Sequence, residues 1–297
     1  MGGELRRQYA KLCDLSDFAD PRVRDAIARI VPDAPPGSER QLERKNWEFA
    51  LLALFLEDLG RLHEGTRALA VGAGHEAVLY WLADRLGHVL ATDVYGKGDF
   101  AAREADARML ADPAAFAPYP YRRDHLAVAS MDARPLELED ASFDGVFSLS
   151  SIEHFGDRHD VARAAREIAR VLKPGGHALV VTECFVSTSA LDRPRVHNLL
   201  RVASGGRVAP AARSDRRGTD VFTPGEIGTW IVAPSGLRLL QAPDFSLSPD
   251  TLDNVATFHG GARPEPASGR WHPHLAVRAR LGSPWTSFAL PLEKPAR

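Results

Sequence analysis

The sequence predicts a doubly wound α/β fold, with a mostly parallel sheet covered by helices on both faces. Three observations predict it. Between Thr66 and Glu183 short apolar runs alternate with amphipathic helical stretches, which is the pattern of βα units. Each run is short and nearly continuous in apolar character, as strands buried on both faces require. A turn with two glycines, Gly72 and Gly74, joins the first run to its helix.

Taken in order, residues 1 to about 37 carry scattered charges and end in VPDAPPGSER, whose prolines and glycine break regular structure. From Gln41 to about Leu62 the apolar residues recur at helical spacing, with charges clustered at both ends, so a long helix precedes the sheet. Residues 1–62 are thus expected to be an N-terminal helical extension, and 63–297 one domain with its core at 66–183. Within that core RALAV, HVLATDV, HLAVASMD, FDGVFSLSS and HALVVTE read as five strands, with helices at EAVLYWLADRLG and HDVARAAREIARVLK. Two insertions, 96–123 and 185–223, are longer than ordinary connections and are expected to cover a site; the first should hold a helix at AAREADARMLAD. Thr223 followed by Pro224 opens a later helix, a strand follows it, and HLAVRARLG with SFALPLEK forms a C-terminal antiparallel hairpin.

Composition narrows the function classes. Lys and Arg number 37 against 39 Asp and Glu, a formal net charge of -2, so no global field attracts nucleic acid or an anionic membrane. Cys13 and Cys184 are the only cysteines and lack CxxC spacing, which argues against a disulfide framework or structural zinc and fits a reducing cytoplasm. The longest apolar stretch, FALLALFLEDLG, is interrupted by Glu57 and Asp58 well short of a membrane span.

The chemistry concentrates at strand ends. Gly72-Ala73-Gly74 lets the backbone approach a ligand closely, and Asp93, about twenty residues on at the end of the second strand, is placed to accept from both hydroxyls of a ribose. Asp132 follows the third strand, where it can accept from an adenine amine. Three polar markers at three successive strand ends lie along one sheet edge, where α/β proteins bind ligands.

VGAGHE, ATDV, MDARPLELEDASFDGVFSLSSIEHF and REIARVLKPGGHALVVTE together resemble the class I S-adenosylmethionine-dependent methyltransferases, in particular the type 11-like subgroup, over about Thr66 to Glu183. The resemblance implies a Rossmann-like, seven-stranded sheet and S-adenosyl-L-methionine as cofactor, with S-adenosyl-L-homocysteine as product. It also implies contacts to the methionine portion near Gly72, Ala73 and Gly74, to ribose from Asp93, to adenine from Met131, Asp132 and Ala133, and a pocket wall from Ser148 and Leu149. Two positions depart from the family pattern: Ala70 stands where an acid is common and Glu76 where a third glycine is common. Some other group must then hold the methionine amine. A nicotinamide-binding fold would want that third small residue and would leave the VLKPGG turn unexplained.

Methyl transfer to a hydroxyl requires alignment and removal of a proton. His154 is the first candidate base, because imidazole titrates near neutrality, and Glu153 is the second. Relatives that bind a divalent metal place an acid three residues before a Glu-His pair; Ser150 stands there, so no metal is expected from Glu153 and His154. Tyr119, Tyr121 and Glu183 are candidate acceptor contacts, and His197, His259, His272 and His274 fall in irregular segments. The longer strings resemble a bacterial subgroup tied to saccharide and secondary-metabolite pathways, which implies O-methylation of a sugar, glycoside or related small molecule. Rivals are N- or C-methylation of a small metabolite and a non-catalytic cofactor-binding partner subunit. Neither nucleic acid nor membrane is expected as a partner, and a homodimer is left open.

Overall fold

The computed structural model describes residues 5–98, 100–186, 199, 202–205, 221–258, 265–266, 275–279 and 283–296. His197, His259, His272, His274 and most of the 185–223 insertion lie outside them. Among the described residues ten strands form one sheet: β1 Arg67–Val71, β2 His88–Asp93, β3 Leu126–Ser130, β4 Phe143–Leu149, β5 Leu172–Phe185, β6 Arg238–Leu239, β7 Ala256–Phe258, β8 Glu265–Pro266, β9 Val277–Ala279 and β10 Trp285–Glu293. The sheet therefore exceeds the expected seven strands.

The strands from β3 through β5 run parallel in the order β3-β2-β1-β4-β5, and β10 continues the sheet antiparallel to β5. The chain leaves β1 toward β2 and β3 on one side and returns to β4 and β5 on the other. That reversal between β1 and β4 opens a crevice at the C-terminal strand ends, the usual ligand position in such sheets. β9 pairs antiparallel with β10 at Val277 and Trp285, as the expected hairpin requires.

Alternation within each strand divides the core. Ala68 and Ala70 of β1, Phe147 and Leu149 of β4, and Leu179 and Val181 of β5 pack on one face with helices α1 Pro21–Ile30, α2 Arg44–Asp58 and α3 Ala77–Ala83. Leu69, Val71, Val146, Ala178 and Val180 face the other way, onto α4 Arg158–Val171 and α5 Pro224–Ile227. Apolar runs without polar alternation are what such two-sided burial demands. Asp157 and Asp160 start α4 with a capping box, and Thr223 and Glu226 do the same for α5.

Within the N-terminal segment lies α1, with Asp20 accepting from Arg22 N and Pro21 in its first turn. Three expectations need correction. The AAREADARMLAD segment is not an α-helix. Asp106 accepts from Arg108 N and starts a separate 3-10 turn, Ala107–Leu110, and Pro113 begins another. The strand after α5 shrinks to two residues, because the chain past Gln241 pairs instead with the N-terminal segment, Asp244 N donating to Ala10 O at 2.7 Å. The turn at Lys173-Pro174-Gly175-Gly176 is a bulge within β5, since Phe143 pairs with Leu172 but Gly145 with His177.

All of α2 except Arg44, Lys45 and Glu57 is buried, so it is a core helix, with its first turn at the crevice. Tyr9 donates to Asp58 at 2.7 Å and Trp47 to Asp17 at 2.8 Å, which locks the N-terminal segment over it. No helix among the described residues is long and apolar enough to cross a membrane.

Candidate functional site

The crevice between the ends of β1 and β4 widens into a cleft of about 840 Å³. The glycine loop forms its floor. Gly72 has φ +69°, and a Cβ there would stand 2.6 Å from Ser151 Cβ; Gly74 has φ +50°, and a Cβ would meet Glu104 O at 2.8 Å. Both the backbone conformation and the packing thus require glycine. The 96–123 insertion crosses the loop at that contact and lines the cleft with Phe100, Phe116 and Pro118.

Asp93 lies beside the loop. Its Oδ2 accepts from Gly74 N at 2.9 Å and its Oδ1 from Val94 N at 2.7 Å. Burial raises its pKa above the usual carboxylate value, and the two amides only partly offset that. A carboxylate offers about four acceptor sites, so both oxygens retain lone pairs toward the cleft. Met131, Asp132 and Ala133 line the next stretch. Asp132 is already engaged: Arg134 Nε donates to it at 2.8 Å, and these bonds hold its pKa below the ordinary value.

On the opposite side α2 contributes charges that composition does not single out. Arg44 pairs with Glu183, at the end of β5, at 2.6 Å. Lys45 Nζ lies 2.8 Å from Glu76 Oε1, 2.8 Å from Leu149 O and 2.9 Å from Glu48 Oε2. Glu76 is pushed up to about 7 by burial, against the pull of Lys45. Ser150, at the end of β4, has φ +49°, a costly conformation for serine, and is held by Val181 O and by Glu48, to which its hydroxyl donates at 2.6 Å.

The expected site residues divide into two groups. Gly72, Gly74, Asp93, Met131, Asp132, Ala133, His154 and Glu183 line one cleft. Ala73, Ser148 and Leu149 are buried behind its wall, and Leu149 reaches the cleft side only through its carbonyl bond to Lys45. Glu153, expected beside His154, is buried beneath it, accepts from Thr182 at 3.0 Å and is pushed up to about 8 by burial and then by Glu183. Tyr119 and Tyr121 do not line the cleft. They pack on the core, Tyr121 edge-on to Tyr80 at 4.9 Å. His154 faces Phe100 at 4.9 Å between ring centroids. Among the described residues no three His, Cys, Asp or Glu side chains group to hold a metal ion.

Sequence reasoning misses Arg44, Lys45, Phe49, Phe100, Phe116 and Phe155. The one available signal is the cationic pair at the start of an otherwise apolar helix.

Residues 69–180 match a protein family described as a methyltransferase domain. Among solved structures, one similar chain is an S-adenosylmethionine-dependent methyltransferase from Methanosarcina mazei, 16% identical over 80% of this chain and 95% of that one, with a TM-score of 0.44. A second, assigned as a sarcosine dimethylglycine methyltransferase, from Galdieria sulphuraria, is 17% identical over 84% and 85%, TM-score 0.47. A third is the phosphoethanolamine N-methyltransferase 2 of Haemonchus contortus, solved with phosphomonomethylethanolamine and S-adenosylhomocysteine: 19% identical, 72% and 44% covered, TM-score 0.43. These structures do not bear on the acceptor. Sheet order, crevice and glycine loop define a class I, Rossmann-like domain. The family match makes residues 69–180 a methyltransferase domain, that of a transferase enzyme.

Proposed function

We propose that this enzyme methylates a hydroxyl oxygen of a neutral, ring-bearing small molecule, a sugar, glycoside or secondary metabolite. One observation carries the reading: the acceptor end of the cleft is walled by aromatic rings, and its charges pair with one another. Phe49 and Phe100 line it, and Arg44 is matched by Glu183. Such a wall suits apolar ring faces and leaves no uncompensated charge to select an ionic acceptor.

The residues also fit the cofactor. Asp93 keeps acceptor sites for two ribose hydroxyls, Asp132, held by Arg134 through both oxygens, borders the place for the adenine, and the glycine loop admits a ligand against backbone. S-adenosylmethionine supplies an electrophilic methyl on a sulfonium when bound. Strand order then sets the layout: adenosine over the ends of β2 and β3, the methionine end over β1 and β4, and the acceptor beyond β4 toward β5. His154 on the cleft wall takes the hydroxyl proton, while buried Glu153 supports the turn that presents it. Buried, unpaired Cys13 and Cys184 are consistent with a reducing cytoplasm.

Replacing Asp93 by Ala removes the ribose acceptors and one anchor of the glycine loop. Calorimetric affinity for S-adenosylhomocysteine should fall roughly 10- to 100-fold, as expected for lost bonds to a charged group; unchanged affinity sinks the ribose assignment. The acceptor class is tested by S-adenosylhomocysteine release on panels of sugars, glycosides, phenols and amines. Turnover confined to amines would favour N-methylation, and cofactor binding without turnover on any panel a partner subunit. On a hydroxyl acceptor His154→Ala should lose about 100-fold in kcat, within the range for general base catalysis, and full turnover would remove His154 from the reaction.

A further inference from the structure

We propose that Lys45 and Glu76 together form the receptor for the amino-acid end of the cofactor, Lys45 facing its carboxylate, Glu76 and the Leu149 carbonyl its ammonium. This rests on the cleft being the S-adenosylmethionine site, and it answers a question the sequence raises. Ala70 supplies no acid at the end of β1, and the Gly72 carbonyl already accepts from Ser151 at 2.7 Å. Glu76 is the carboxylate of the glycine loop that lines the cleft.

Three geometric facts support the pair. Lys45 Nζ is an ammonium that donates to Glu76 at 2.8 Å and to Leu149 O at 2.8 Å and pairs ionically with Glu48 at 2.9 Å. The Glu76 and Leu149 acceptors thus already suit an ammonium. Two of those acceptors, Glu76 and Leu149 O, come from β1 and β4 connections beside Gly72, where the layout puts the methionine end. The third, Glu48, is fully buried behind Lys45 and stays with it. An incoming zwitterion can then insert between Lys45 and Glu76. Its ammonium takes over the Glu76 and Leu149 acceptors, and Lys45, on its flexible four-carbon stem, keeps Glu48 and turns a donor to the carboxylate. Charges alternate along the resulting row: Glu48, Lys45, ligand carboxylate, ligand ammonium, Glu76. No charge is added without its opposite, which a low-dielectric cleft requires.

The test compares two ligands that share the adenosine and thioether but differ in the amino acid: S-adenosylhomocysteine, which has it, and 5′-methylthioadenosine, which does not. Calorimetry on the full chain should show Glu76→Gln and Lys45→Gln weakening S-adenosylhomocysteine roughly 10- to 100-fold, with methylthioadenosine affinity within about threefold of wild type. Glu76→Gln leaves the buried Lys45–Glu48 pair intact, so it carries the test even where Lys45→Gln folds poorly. Equal loss of both ligands, or no loss of S-adenosylhomocysteine, overturns the receptor while leaving the cofactor site standing. A wild type that binds neither ligand overturns the cofactor site and the receptor with it.

Discussion

Replacing Glu48 by Ala should cost the fold about 3–5 kcal/mol, the range for removing one partner from a buried ion pair. Glu48 is fully buried, and its Oε1 accepts from the hydroxyls of both Ser150 and Ser287 at 2.6 Å while Oε2 faces Lys45. Burial alone would raise its pKa; Lys45, Arg44 and the two serines outweigh that and hold it ionised, below its ordinary value. It joins three elements, α2, the β4 end and β10. Alanine would open a cavity, leave the buried Ser287 hydroxyl and the half-buried Ser150 hydroxyl without their shared acceptor and strip support from the strained Ser150. Glu48→Gln keeps shape and an acceptor oxygen and should cost less than half as much. Urea midpoints of the two variants measure the difference. Equal and small losses, under about 1 kcal/mol as for exposed ion pairs, would show that the network does not hold these elements together.

The parallel half of this fold is legible in the sequence because its physics is local. RALAV, HVLATDV and FDGVFSLSS are apolar on both faces, and a chain can satisfy that only inside a covered sheet. The glycine loop is legible for a similar reason, since positive φ at Gly72 and Gly74 belongs to the residue type. What escapes depends on partners far along the chain. Charged residues before Pro32 look solvated until Asp17, just before α1, accepts from Trp47 and Arg22 of α1 pairs with Asp58, so the contacts that seat α1 do not show in the sequence. The strand at Arg238 stops early because the segment near Ala10 captures the following residues, a contact across more than two hundred positions.

The site divides the same way. Asp93, Asp132 and His154 sit at strand ends or just after them, so position along the sequence places them along the cleft. Tyr119 and Tyr121 point to the acceptor by residue type alone. Packing decides otherwise, since Tyr121 finds an aromatic partner in Tyr80 and both rings join the core. Arg44 and Lys45 show in the sequence only as a cationic pair at a helix start, because they come from a helix that precedes the sheet by sequence yet presents its first turn to the crevice. Glu76 is visible only as a departure from a pattern. Its function depends on Lys45, and neither residue suggests the other without the fold.

Glu153 gives the second large effect, and it is a dependence on pH. Burial, then the neighbouring Glu183 and Glu48 carboxylates, push it up to about 8, against the partial relief of its own backbone amide and of Thr182; Arg44 is the nearby cation. The unfolded chain titrates this group at about 4.3. Between those values the folded protein keeps a proton that the unfolded chain has released, so stability must fall as pH rises across that window. A tenfold difference in proton affinity between folded and unfolded chain corresponds to about 1.4 kcal/mol, which makes the loss on the order of a few kcal/mol by pH 8. Glu76, pushed to about 7, adds a smaller loss of the same sign, whereas the lowered carboxylates of Glu48 and Asp58 act in the opposite direction. The difference between wild type and Glu153→Gln isolates the one group. Glutamine is neutral at every pH and can still accept from Thr182, so the variant should match wild type near pH 4 and exceed it increasingly toward pH 8. Urea unfolding at several pH values measures that gap. A gap that stays constant from pH 4 to pH 8.5 would mean that Glu153 is ionised throughout, and that the carboxyl beneath His154 is a charged neighbour of the acceptor site rather than a neutral one.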